Sequence, residues 1–316
     1  MLRAAADRDE TILTSWQQRH AALWGRAPLR LSHRLHQHEL FDRAALAQLI
    51  QSYPRAHYTL VQWGAQGELG QWREGELGGL SGEAALEAVA RSTVWINLRQ
   101  VQDVDPRYAR LLDEIFDALS DRLPGFAVRS RTMGILVSSP GSKTIYHADL
   151  PGQSLWQIHG RKRVYVYPRR EPFISEKHLE KIALTGSEFH VPYRPWYDEH
   201  AEVFDIAPGD LLHWPLNAPH RVDNFDCLNV SMTLEYFTED IRRAHMVTVA
   251  NGMLRAAFGR APRSRATAGA AFWAKAALQR ALRGVPGLGK QKRPWRGAEF
   301  RLDPRRPGAI AEIVRP

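Results

Sequence analysis

The chain has 316 residues, 44% of them hydrophobic, which is enough for a sizeable core. Its single cysteine, Cys227, excludes an intramolecular disulfide and agrees with a reducing compartment. No apolar run approaches membrane-span length and the first residues lack a signal-peptide core, so a soluble cytoplasmic protein is expected. The net charge of +9 is uneven: residues 251–316 hold 15 Lys and Arg against 3 Asp and Glu, and the rest 28 against 31. The basic surplus therefore belongs to the C-terminal part.

Residues 8–24 place Ile12, Leu13, Trp16, His20 and Leu23 at helical spacing. The stretch 28–35 reads as a short strand. His33, His36 and His38 cluster there, without an acid or Cys partner at metal-ligand spacing. Helices are expected over 42–52, over 81–91 with a Ser-Gly-Glu start, and over 106–123, where Tyr108, Leu111, Leu112, Ile115 and Leu119 share a face. Strands are expected over 57–64 and 94–101. This region, 1–125, is expected to pack around a barrel built from the middle of the chain and to wall one side of its pocket.

From residue 126 to about 240 the pattern changes to a succession of short strands, which suits a double-stranded β-helix, or jelly roll, with flanking helices. Three His-x-acid triplets occur in the chain. His178/Glu180 lies in a helical run, where a spacing of two diverges, and His200/Glu202 in a loop entering a strand. His147 and Asp149 lie in an extended segment, where residues two apart share a face at roughly 7 Å. A third group for one cation comes from His220, delivered by the Gly209-Asp210 turn, a strand to Trp214 and a loop over 215–219. Two imidazoles and one carboxylate on neighbouring strands leave open coordination positions. Lys162 opens the alternating run Val164-Tyr165-Val166-Tyr167, and it also reads as a solvated turn cation. His213 reads as a packed or pocket-lining residue.

An insertion over 169–200 carries a helix and the aromatics Tyr193, Trp196 and Tyr197, which either grip a peptide or pack within the loop. Residues 241–316 form a basic helical region. A helix is expected over 241–258, a linker over 260–269, an amphipathic helix closed by Gly284, and an irregular end.

His147, Asp149 and Lys162, with Gln157, Ile158 and Gly160 between them, resemble the first half of a Jumonji-C (cupin-like) domain. Gly209, Asp210, Pro215 and His220 resemble its second half. The resemblance covers about residues 128–237, and is similar to the asparaginyl hydroxylase that inhibits hypoxia-inducible factor. It implies an Fe(II)- and 2-oxoglutarate-dependent oxygenase that hydroxylates a protein or peptide side chain. His147, Asp149 and His220 match the iron ligands. Lys162 and Thr144 match groups that hold the far carboxylate of 2-oxoglutarate, and Gln153 stands where the family often has Asn. Glu235 departs from the family Asn near the metal end of the cofactor, where a charged carboxylate repels an acid. The resemblance also implies dimerisation, or covering of the barrel, by the C-terminal helices. The basic surplus offers contact with an acidic peptide, ribosomal RNA or DNA. Two other readings stay open: a cupin-type enzyme oxidising a small metabolite without 2-oxoglutarate, and a non-enzymatic binding protein using its basic tail.

Overall fold

A computed structural model describes residues 12–62, 73–187, 191–260, 262, 264–282, 297–303, 306 and 308–313. From residue 128 to 238 the chain lays down eight consecutive strands: β5 (Val128–Ser138), β6 (Lys143–His147), β7 (Gly152–His159), β8 (Lys162–Val166), β9 (Glu202–Ile206), β10 (Asp210–His213), β11 (His220–Asn224) and β12 (Asn229–Thr238). They divide between two sheets. Strands β10, β7, β12 and β5 adjoin in one sheet, and β6, β11, β8 and β9 form the other, with antiparallel pairing throughout. That order is the jelly roll expected from the strand succession.

The space between the sheets is apolar away from the metal ligands. Leu155, Val164, Val166, Ile206, Leu212 and Trp214 form one buried cluster there. Each comes from the alternate position of its strand, as the period of two requires. Gly152 carries no side chain because the Tyr236 ring lies against it: an added Cβ would meet that ring at 2.5 Å.

Four earlier strands precede the jelly roll: β1 (Leu29–Ser32), β2 (Tyr58–Gln62), β3 (Arg73–Glu76) and β4 (Val94–Leu98). Strand β1 adds to β10, while β4, β2 and β3 extend the sheet outward from β5. Late strands β13 (Phe300–Leu302) and β14 (Ile310–Glu312) complete its far edge. The helices before the barrel are α1 (Gln18–Leu23), α2 (Arg43–Gln51), α3 (Gly82–Ala90), α4 (Val101–Val104) and α5 (Pro106–Arg122). Helix α5 starts on the Asp105 side chain, which accepts from Arg107 N, with Pro106 in its first turn. Its stripe of Tyr108, Leu111, Leu112, Ile115 and Leu119 enters the main apolar core with Leu60, Ile96, Leu98 and Ile135 of the extended sheet.

The expected helix over 8–24 is corrected. Only α1 is helical among its described residues, and residues 8–11 lie outside the described ones. Ile12 and Leu13 are buried in extended backbone, because Thr14 N donates to Ser32 O at 2.9 Å and Arg34 N to Ile12 O at 3.0 Å. Pairing with β1 has overridden the local period. The His33, His36 and His38 cluster is structural: the Nδ1 atoms of His33 and His38 accept from Leu35 N and Leu40 N at the start of short 3-10 turns.

After β8 the insertion holds α6 (Glu176–Thr185) and a 3-10 turn over Pro195–His200. It packs on the outer face of the smaller sheet, where Tyr146, Tyr167, Phe173, Leu179 and Tyr197 share a cluster. Loop packing therefore accounts for Tyr197, while Tyr193 and Trp196 keep exposed faces. Beyond β12 come α7 (Glu239–Phe258) and α8 (Gly269–Leu282), packed on each other. The buried Glu180 of α6 receives Arg255 of α7 at 2.6 Å and Arg265 at 2.5 Å, tying the C-terminal helices to the insertion. Gly284 and the irregular basic stretch after it, up to residue 296, lie outside the described residues. No helix is long and apolar enough to cross a membrane among the described residues.

Candidate metal centre

His147 ends β6, His220 begins β11, and the two are paired in register across the smaller sheet. Their rings lie 4.1 Å apart. Asp149 follows two residues later, with its backbone carbonyl held by Asn217 Nδ2 at 2.6 Å. Asn217 has φ +61°, a left-handed conformation that Asn tolerates better than most residues. One ligand atom from each of His147, Asp149 and His220 lies within 4.8 Å of the others, and all three side chains are buried.

Each imidazole is turned for a metal. His147 Nδ1 sits 2.7 Å from Ile145 O and His220 Nδ1 3.1 Å from Ala218 O, which suits the Nδ1–H tautomer with Nε2 as the lone-pair atom of each ring. His220 Nε2 lies 3.2 Å from Asp149 Oδ2, yet no hydrogen bond satisfies that buried oxygen. Two lone-pair groups converging in a dry place are left without a proton between them, and a cation resolves that conflict. The electrostatics agree. Burial, then the neighbouring His220 ring, brings His147 down to about 4, so it stays neutral. Burial alone would raise the Asp149 carboxyl, but the His220 and His147 rings outweigh it and hold it below the usual range. The donor set fits a divalent cation that takes N and O ligands.

A cavity of about 630 Å³ opens beside these three residues. Thr144, Gln153 and Glu235 line it as well. Thr144 lies opposite Val222 in the ladder, and Gln153 Oε1 is a buried atom without a hydrogen-bond partner. Lys162 stands apart. It is 3% exposed and shares the inward face of β8 with Val164 and Val166, but it does not line this cavity. Its ammonium has no hydrogen bond and no carboxylate among the described residues. Burial pulls its pKa down to about 7, with a smaller opposing effect from Cys227. The reading of Lys162 as a solvated turn cation is thereby excluded.

Glu235 is exposed, and its side chain lines the cavity. Desolvation there, then the charge of Asp149, pushes it up to about 7. His213 is a packing residue: it stacks on Trp24 at 3.8 Å, bonds Gln153 O through Nδ1 and accepts from Gly25 N.

Two groups near the centre carried no spacing signal. Asn217 is one. The other is Arg221, beside His220, whose guanidinium lies 3.4 Å over Tyr165 and bonds Asp198 Oδ2 at 2.6 Å, pinning the insertion to β11.

No family model matches this chain, and no curated protein matches it. Solved structures do. The chain is similar to Escherichia coli YcfD at 15% identity and a TM-score of 0.50, covering 88% of this chain and 71% of that one. The fold is shared. A second structure of that protein, described as a ribosomal oxygenase in complex with cobalt and 2-oxoglutarate, gives 15% identity and a TM-score of 0.47, covering 87% and 69%. The likeness to the asparaginyl hydroxylase rests on the motif residues alone.

Proposed function

We propose that this chain is a cytoplasmic Fe(II)- and 2-oxoglutarate-dependent oxygenase that hydroxylates a protein or peptide side chain. The observation that carries the reading is the buried convergence of His147, Asp149 and His220 at one end of a jelly roll. A facial set of two imidazoles and a carboxylate leaves positions for a chelating acid and O2. Ferrous iron, when bound with 2-oxoglutarate, would supply activation of O2, the oxidant, with one oxygen atom going to the substrate and the other to succinate as CO2 leaves.

The protein's part is holding and charge matching. Lys162 offers a buried ammonium without a carboxylate partner among the described residues, Thr144 a hydroxyl, and Gln153 a side-chain NH2 that can donate to a carboxylate. In this reading they bind the 2-oxo diacid. The metabolite-oxidising alternative leaves a buried, unpaired lysine without a purpose, and such a charge is costly. The dimer belongs to the same proposal: α8 leaves Trp273 64% exposed beside Ala270, Ala274 and Ala277, an apolar face suited to a second copy.

The decisive experiment measures succinate from 2-oxoglutarate with Fe(II), for the wild type and for His147→Ala. Metal-dependent release that vanishes in the variant supports the reading, and equal release from both removes it. A pH dependence arises at the site. As pH rises through about 7, Lys162 loses the positive charge that attracts the dianion and Glu235 gains a negative one that repels it. Cofactor affinity is expected to fall with a slope approaching two per pH unit above that range. Glu235→Gln should reduce the slope to about one, read by titrating 2-oxoglutarate between pH 6 and pH 9.

A further inference from the structure

The metal-facing cavity does not end at the jelly roll. It continues onto the face of the extended sheet opposite the helices, where Trp95, Asn97 and Arg99 of the β4 segment project alternately from Val94, Ile96 and Leu98 in the core. The ladder fixes the layout. Leu98 pairs with Ile135, so Arg99 lies level with Gly134, and Gly134 pairs with Thr233, which pairs with Leu155. Thr233, Leu155 and Gly134 all line the cavity. Gly134 is the floor of a trough: an added Cβ would meet Thr233 Oγ1 at 2.7 Å and lie 3.7 Å from Asn97 Oδ1. Arg99 and Leu155 thus lie three strand spacings apart, roughly 14 Å, along the same cavity that the metal-binding residues line.

Arg99 is exposed, and its guanidinium donates to a backbone carbonyl, Ala56 O, at 3.0 Å. It has no carboxylate partner among the described residues. The next residue, Gln100, also lines the cavity and holds φ +58°, a left-handed conformation uncommon outside glycine. Such backbone is retained where the surroundings fix it, and it clusters at ligand sites. An unpaired guanidinium on a strained corner, across a cleared trough from the metal, is built to receive an anion.

We propose that Arg99 is a specificity residue that binds an acidic side chain of the substrate, with Asn97 beside it on the substrate backbone. An extended chain rises about 3.3 Å per residue, so a span of that length sets the acidic residue roughly four positions from the residue that is modified. This inference rests on the proposed hydroxylation of a peptide and deepens it.

The test uses a randomised nonapeptide library with the full-length protein in two arms. In the binding arm the library is selected on immobilised protein holding Co(II) and 2-oxoglutarate. In the turnover arm it is incubated with Fe(II) and 2-oxoglutarate and read for oxygen addition by mass. Asp and Glu are expected to be enriched about tenfold at about three to five positions from the modified residue, and in the bound set at one position. Arg99→Lys keeps the enrichment, while Arg99→Glu replaces it with Lys and Arg. Unchanged melting of Arg99→Glu shows that the fold is intact. Charge preference in the binding arm with no oxygen addition keeps the subsite and removes the oxygenase reading. No binding, no acidic enrichment, or an enrichment that Arg99→Glu leaves unaltered overturns the proposal.

Discussion

Replacing Lys162 by Met is expected to make the ligand-free protein more stable and at the same time to cost it 2-oxoglutarate. The ammonium is buried with no carboxylate near it among the described residues, and burial holds its pKa at about 7 against an ordinary 10.5. Proton counts set the sign. Between those two values the unfolded chain binds more protons than the folded one, so the penalty is absent above 10.5 and grows as pH falls toward 7. An apolar residue of similar length removes a penalty on the order of 2–4 kcal/mol at neutral pH. The same change deletes the charge proposed to pair with the far carboxylate, and affinity for 2-oxoglutarate is expected to fall by about 100-fold or more. Melting curves at pH 7 and pH 10 with a 2-oxoglutarate titration check both halves. A protein destabilised at pH 7, or one that binds the diacid as before, contradicts the assignment.

Asp149→Ala is expected to have the largest effect on metal. It leaves two imidazoles, His147 and His220, whose Nδ1 atoms remain held by backbone carbonyls but which share no anionic partner. Loss of groups that merely support a ligand costs about 10–100-fold in affinity, so loss of the carboxylate itself should exceed about 100-fold. Co(II) titration followed by visible absorption reads this without turnover. Asp149→Asn separates charge from shape, and should be nearly as weak.

Much of this site is legible in the sequence because it is local or set by strand period. His147 and Asp149 are two apart, and the turn at Gly209 and Asp210 sets the strand that leads to His220. What escapes the sequence is whatever depends on pairing between distant segments. Ile12 and Leu13 follow a helical period yet are extended, since β1 claims their backbone. Strands β4, β2 and β3 give no sign that they prolong the sheet from β5, so the reach of the cavity to Arg99 is invisible until the ladder is known. Arg221 and Asp198 are 23 positions apart and meet only because the insertion folds back on β11. The inward aim of Lys162 comes from the alternation of β8, but its lack of a partner does not. Glu235 reads as a repelling charge in the sequence, and desolvation at the cavity wall, then the charge of Asp149, pushes it up to about 7.

The most direct test mixes the protein anaerobically with Fe(II) and 2-oxoglutarate and looks for the charge-transfer absorption of a 2-oxo acid chelated to ferrous iron. The assignment requires the band in the wild type, saturating at one iron per chain, and its loss in Asp149→Ala. A band of equal strength in that variant, or 2-oxoglutarate binding indifferent to iron, would place the metal and the acid elsewhere.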